Sequence, residues 1–126
     1  MSIVYDLLVE GKINSNVKAV KRMYNSLLRE SKADLSVYKN EFKQLNESVN
    51  VDDSDLKKGF RKIAETLKSS KALIEQAERL DNLKERQETI RKAHKTISEG
   101  IDFREELMEN FSDVVSKAQQ VHESVE

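Results

Sequence analysis

Apolar residues recur every three or four positions along almost the whole chain, the period at which side chains return to one face of an α-helix. Leu35, Tyr38, Phe42, Leu45 and Val49 step in this way, and Val17, Val20, Tyr24 and Leu27 or Leu28 precede them on a similar stripe. The spacing predicts one helix over about 16–47, with Asn14, Ser15 or Asn16 as its N-cap. The polar stretch SVNVDDSD then breaks the stripe and offers Asp53 or Ser54 as the next cap, so two long helices are expected to meet at a turn.

The second expected helix covers 54–98. Phe60, Ile63, Leu67, Ile74 and Ala77 follow a heptad, and Gln87, Ile90, His94 and Ile97 resume it. Between them Ala77, Leu80 and Leu83 are three apart twice, which reads as a slip that overwinds a coiled coil locally. Gly100 is expected to interrupt the helix, and Asp102 with Glu105 to cap a last one over 103–124 through Phe111, Val115, Ala118 and His122. Unbroken, the central helix would be about 68 Å long at roughly 1.5 Å per residue. The expected fold is therefore all-α, an elongated helical hairpin or coiled-coil-like bundle. It forms one helical domain over 11–126, after a short amphipathic helix over 1–10 closed by Gly11 as C-cap.

The stripe is narrow and the other faces are charged, so the helices need antiparallel neighbours from their own chain or from another. Phe60, Ile63, Leu67, Ile74, Ile90 and Ile97 form the candidate association seam, and a concentration-dependent oligomer or heteromeric complex is expected through it.

Composition strengthens the helical reading: 126 residues hold no Pro, Trp or Cys, three Gly and 36% charged side chains. Without Cys there are no disulfides, thiolate metal sites or Cys nucleophiles. No apolar run approaches the roughly 20 residues needed to cross a bilayer, so no membrane partner is expected and the chain reads as soluble and intracellular. The net charge of −1 conceals a segregated pattern, with twelve basic against six acidic groups in 57–98 and two against eight in 99–126. The two segments are expected to meet, within or between chains.

Candidate chemistry is sparse. His94 and His122 lack the companion ligand one turn away that helical metal sites use, and they read as seam histidines. Glu105-Glu106 and Asp52-Asp53 read as solvated faces and caps, because adjacent helical side chains diverge by about 100° and cannot share a proton. No phosphate-cradling glycine loop or nucleophile motif occurs, so no catalysis, cofactor or metal is expected. Lys57, Lys58, Arg61 and Lys62, then Arg91, Lys92 and Lys95, are candidate phosphate contacts, so nucleic acid is a conceivable partner. No stacking aromatics accompany them, and nearby glutamates offer helix-face pairs.

The opening stretch MSIVYDLLVEG lacks the basic start, long apolar core and small-residue cut site of a secretion signal. Its apolar face, Ile3, Val4, Leu7 and Leu8, suits a short helix packed on the main hairpin. Leu8-Val9-Glu10-Gly11 also resembles the cleavage signal of the prohead protease of T-even-type tailed phages, which cuts after Glu when Leu or Ile stands two residues earlier and a small residue follows. With Met first, Tyr5 and an acidic cut point at residue ten, the layout is similar to the N-terminal propeptide of those phages' internal head proteins. The resemblance covers about residues 1–11.

Leu/Ile-x-Glu occurs eight times, where chance placement of 19 Leu or Ile and 15 Glu would give about two. Amphipathic helices set Glu beside their apolar stripe anyway, which accounts for part of the excess. Glu30, Glu47 and Glu99, each followed by Gly or Ser, are candidate secondary cleavage sites.

The resemblance implies a non-enzymatic prohead core protein, an internal scaffold that is a substrate of the prohead protease, with an internal head protein that loses only its first ten residues as a close variant. Its implied partners are itself or other helical core and capsid proteins. Its implied place is the host cytoplasm during assembly and the prohead interior. The alternative is a small helical binding module, an inhibitor or adaptor acting through its apolar stripe.

Overall fold

The computed structural model describes the backbone from Ile3 to Val125 and the side chains of residues 8–47, 50–121, 123 and 124. Three rods make the fold, each antiparallel to the next along the chain, and no strand occurs among the described residues. The first rod is α1 (Ile3–Val37), a π turn (Tyr38–Phe42) and α2 (Lys43–Val49); the others are α3 (Ser54–Arg79) and α4 (Leu83–Val125).

The first rod starts well before residue 16. Asn14, Ser15 and Asn16 lie inside α1 and cap nothing, and Gly11 is an interior residue rather than a C-cap. Of the separate short helix expected over 1–10, residues 3–10 are the first turns of the same rod, and residues 1 and 2 lie outside the described residues. Asn, Ser and Gly each cost a helix roughly 1 kcal/mol or less relative to Ala, and the burial of Ile13, Val17 and Val20 outweighs that.

The rod ends at Asn50, whose left-handed backbone (φ 54°, ψ 51°) suits an asparagine C-cap. The Asn50 N–H donates to the Asn46 carbonyl at 2.7 Å, and the Asn46 side-chain oxygen accepts from the Val51 N–H. Asp52 then turns the chain by accepting the Ser54 N–H at 3.0 Å. Asp53 holds the N-cap position of α3, but its side chain caps no backbone N–H; the carboxylate accepts from the Tyr38 hydroxyl and pairs with Lys57.

The long helix expected over 54–98 is two helices. Leu80 is extended (φ −80°, ψ 129°), and Asn82 caps α4 by accepting the Glu85 N–H at 3.0 Å. Arg86 crosses the turn and donates from Nε to the Ala77 carbonyl at 3.1 Å, a second bond on an oxygen that also accepts the Leu80 N–H at 3.3 Å. The apparent heptad slip at Ala77, Leu80 and Leu83 is therefore this turn.

The expected break at Gly100 is absent. Asp102 and Glu105 lie mid-helix, and α4 continues for 43 residues, about 64 Å at roughly 1.5 Å per residue. The last helix, expected over 103–124, is the C-terminal half of α4.

Side-chain contacts fix the alignment of the rods. Lys21 meets Glu78 at 3.2 Å, and the Tyr38 ring, just past α1, packs tilted on Phe60 at 5.3 Å, so α1 and α3 run antiparallel. Lys62 lies over the Phe103 ring at 3.9 Å, and Gly100 lies against Thr66, so α3 and α4 also run antiparallel. The Arg104 guanidinium grips Asp34 with two hydrogen bonds, at 2.7 and 3.1 Å, and reaches Glu30 at 3.3 Å, tying α4 to α1. Those bonds hold the Arg104 pKa above its ordinary value.

Leu27, Ile63 and Ile97 fill the middle of the bundle, where the buried hydroxyl of Ser70 bonds back to the Thr66 carbonyl four residues earlier at 2.6 Å. One end is closed by Tyr38, Phe42, Phe60 and Phe111, with ring centroids 5.3–6.5 Å apart.

Candidate functional site

The alignment places the opening segment outside the bundle. Asp34 beside Arg104 sets α1 and α4 in parallel with an offset of seventy residues, so Ile13 stands level with Leu83, the first residue of α4. Residues 3–12 therefore continue α1 past the turn that joins α3 to α4. Accordingly Leu8 is 68% exposed, Glu10 is exposed, and a Cβ built on Gly11 would meet nothing within 4 Å. The side chains of Ile3, Val4 and Leu7, expected to form an apolar face, lie outside the described residues.

The three internal triplets have different surroundings. Glu30 is exposed but paired with Arg104, and it is followed by Ser31, whose hydroxyl is shut off from solvent. Glu99 is exposed, yet Gly100 behind it is buried, and a Cβ there would come within 2.7 Å of Thr66 Cγ2 and 2.9 Å of Leu27 Cδ2. Glu47 stands in α2, close to its end, and is exposed. At each site, threading the chain through an extended protease groove means unwinding a helix.

The association seam closes within the chain. Ile63, Leu67, Ile74, Ile90 and Ile97 are at most 8% exposed, and Phe60 packs against the same core. Of the two sources of neighbours expected for this seam, the chain's own helices supply them: α1, α3 and α4 pack on one another. The charge segments also lie side by side within the chain, because antiparallel pairing sets the basic first half of α3 along about 100–112 of α4.

The densest basic cluster is divided by helix geometry. Lys57 pairs with Asp53 at 3.6 Å, and Lys62 sits over Phe103 on the opposite side of α3, so the four cations form no common phosphate cradle. His94 is exposed and borders a shallow groove with Arg91, Asn16 and Met23. His122 lies outside the described side chains. Among the described residues no group of three His, Cys, Asp or Glu stands close enough to hold a metal, and no helix is long and apolar enough to cross a membrane.

The most developed polar arrangement is one the sequence pattern did not single out. The buried Tyr38 hydroxyl donates to the Asp53 carboxylate, joining the π turn to the start of α3. Burial, reinforced by that bond and by the carboxylate's charge, pushes the Tyr38 pKa up to about 12. Beside it an open hollow of about 560 Å³ is lined by Lys43, Asn46, Asn50, Asp52, Asp53 and Lys57. The Asp52 carboxyl titrates below its usual range, chiefly because Ser54 donates to it. No known family, curated protein or solved structure matches the chain. The Tyr38–Asp53 pair is a structural clasp: the phenol is held neutral as a donor, and a proton-abstracting role would require the opposite shift.

Proposed function

We propose that this chain is a non-enzymatic structural protein of a tailed-phage prohead core and a substrate of the prohead protease, cut first after Glu10. The observation that supports this reading is the contrast between the first Leu-x-Glu triplet and the later ones. Leu8-Val9-Glu10-Gly11 projects beyond the bundle with no neighbour at Gly11, whereas Gly100 is wedged between rods and Glu30 is held by Arg104. Cutting after Glu10 needs only the end of one helix to open, and the rest of the bundle keeps its core. Removing Asp6 and Glu10 would also raise the side-chain net charge from −1 to +1, which suits a product kept beside DNA.

A second reading, a small helical binding module, is favoured by the apolar groove between α1 and α3 lined by Leu28, Leu35 and Leu67. It shares everything except the processing.

The two are separated by incubating the purified chain with the cognate prohead protease and following fragments by mass. The first reading requires a first cut after Glu10, abolished by Glu10→Gln, with slower cuts after Glu30, Glu47 and Glu99. A chain that stays whole while a core protein in the same tube is digested would remove the phage assignment.

A further inference from the structure

We propose that the groove between α1 and α3, on the side of the bundle away from α4, is a docking site for an acidic amphipathic helix of another protein. Its floor is apolar: Leu28 and Leu35 from α1 with Phe60, Ile63, Ala64 and Leu67 from α3 enclose about 180 Å³, room for aliphatic side chains entering from outside. Each wall runs over eight residues, 28–35 and 60–67, about 10 Å or two helical turns at roughly 1.5 Å per residue. Two packed helices with axes about 8–10 Å apart leave a trough that accepts a third along their length.

The rims decide the partner's chemistry. Taking about 100° per residue, Arg61, Lys68 and Lys71 lie within roughly 60° of Ala64 on α3, and all are exposed. On α1, Arg29 lies within roughly 60° of Lys32, which lines the groove itself, and both are exposed. The neighbouring acids of α1, Glu30 and Asp34, point the other way, at Arg104 of α4. On α3 the acids of that sector are Glu75 and Glu78; Glu78 is paired with Lys21, and Glu75 lies more than two turns beyond Ala64.

An apolar floor between two basic rims complements a helix with aliphatic residues on one face and carboxylates flanking them. Nucleic acid would meet the same cations, but phosphates gain nothing from a floor of Leu, Ile and Phe, and among the described residues no exposed ring is offered for base stacking. The inference does not depend on the phage reading, because it concerns a face that processing at Glu10 leaves intact.

The test is fluorescence anisotropy with two labelled helical peptides that share leucines on one face and carry either Glu or Lys at the flanking positions. The full chain should bind the Glu peptide at least about tenfold more tightly than the Lys peptide, and the affinity should fall as salt rises. Ala64 is exposed, so Ala64→Trp can obstruct the floor without touching the core, and it should weaken Glu-peptide binding by about tenfold. The double change Lys32→Glu, Lys68→Glu should reverse the preference between peptides, with circular dichroism showing an unchanged fold. Equal affinity for both peptides, or Ala64→Trp without effect, overturns the proposal. So does a DNA duplex that binds more tightly than the Glu peptide and is insensitive to Ala64→Trp, which would make the face a phosphate-binding surface instead.

Discussion

Gly11 and Gly100 both lie inside long helices, in opposite surroundings. At Gly11 a side chain would enter open space; at Gly100 it would strike Thr66 on α3 and Leu27 on α1. The first glycine marks a stretch with no neighbouring rod, where absence of a side chain costs helix stability and gains no packing. The second lets three helices approach closely, a packing gain that outweighs the same helix penalty. The comparison separates a projecting, easily opened segment from a locked middle, and it can be broken at either side.

The largest effect is expected from truncating the locked middle. Ile97 is fully buried, so Ile97→Ala should cost about 2–5 kcal/mol in denaturant unfolding, through lost burial and the cavity left behind. Leu8→Ala, at a position 68% exposed, should stay within about 0.5 kcal/mol. Comparable losses at the two positions would mean that the projecting segment is packed after all.

Tyr38→Phe tests the aromatic end. Removing the hydroxyl deprives the partly buried Asp53 of a donor, at an expected cost of about 1–2 kcal/mol. The pKa shift also sets a sign with pH. Tyr38 titrates at about 12 in the folded chain against 10 ordinarily, so its contribution is complete below pH 10 and is lost as pH rises from 10 towards 12. Wild type should therefore lose stability across that window more steeply than the Phe variant. Parallel pH curves for the two would remove the clasp.

Much of this was written in the apolar pattern, and what was not has physical causes. The all-α class and the turn after Val49 follow from the stripe and from SVNVDDSD. The turn at 80–82 was hidden because its signal is a single Asn82 cap flanked by Leu80 and Leu83, whose spacing keeps a helical rhythm across the break. The breaks expected at Gly11 and Gly100 came from reading glycine as a terminator. Gly100 instead answers to Leu27 and Thr66, distant in sequence, which no local pattern encodes. Likewise Tyr38 was visible as a core position, but its bond to Asp53 required the π turn and the α3 start to be brought together.

Gly100→Ala sets helix propensity against packing. Alanine should recover up to about 1 kcal/mol of helix stability, while overpacking costs about 1–3 kcal/mol. Thr66 is β-branched and buried and cannot swing aside easily, so a net loss of about 1 kcal/mol is expected. Gly59→Ala is the control: the nearest atom to its Cβ, at 2.7 Å, is the far end of the Leu107 side chain, which can rotate away, so that variant should be close to neutral. Equal losses at both would mean that the crossing at Gly100 is no tighter than its neighbour.

Gly11→Ala should produce the smallest change in global stability and the most local one. Nothing obstructs the new methyl, so the substitution acts only through helix propensity, worth up to about 1 kcal/mol in a helix interior. A projecting end that opens independently does not pass that gain to the whole bundle, because it can unwind before the core does. The unfolding midpoint should therefore stay nearly fixed, while hydrogen exchange slows at the amides of residues 8–12. If Glu10-Gly11 is the protease site, the first cut should slow as well, since the protease acts on the opened end. A clear loss of global stability would instead show that residue 11 has a neighbour in solution, and with it the contrast between the two glycines would fail.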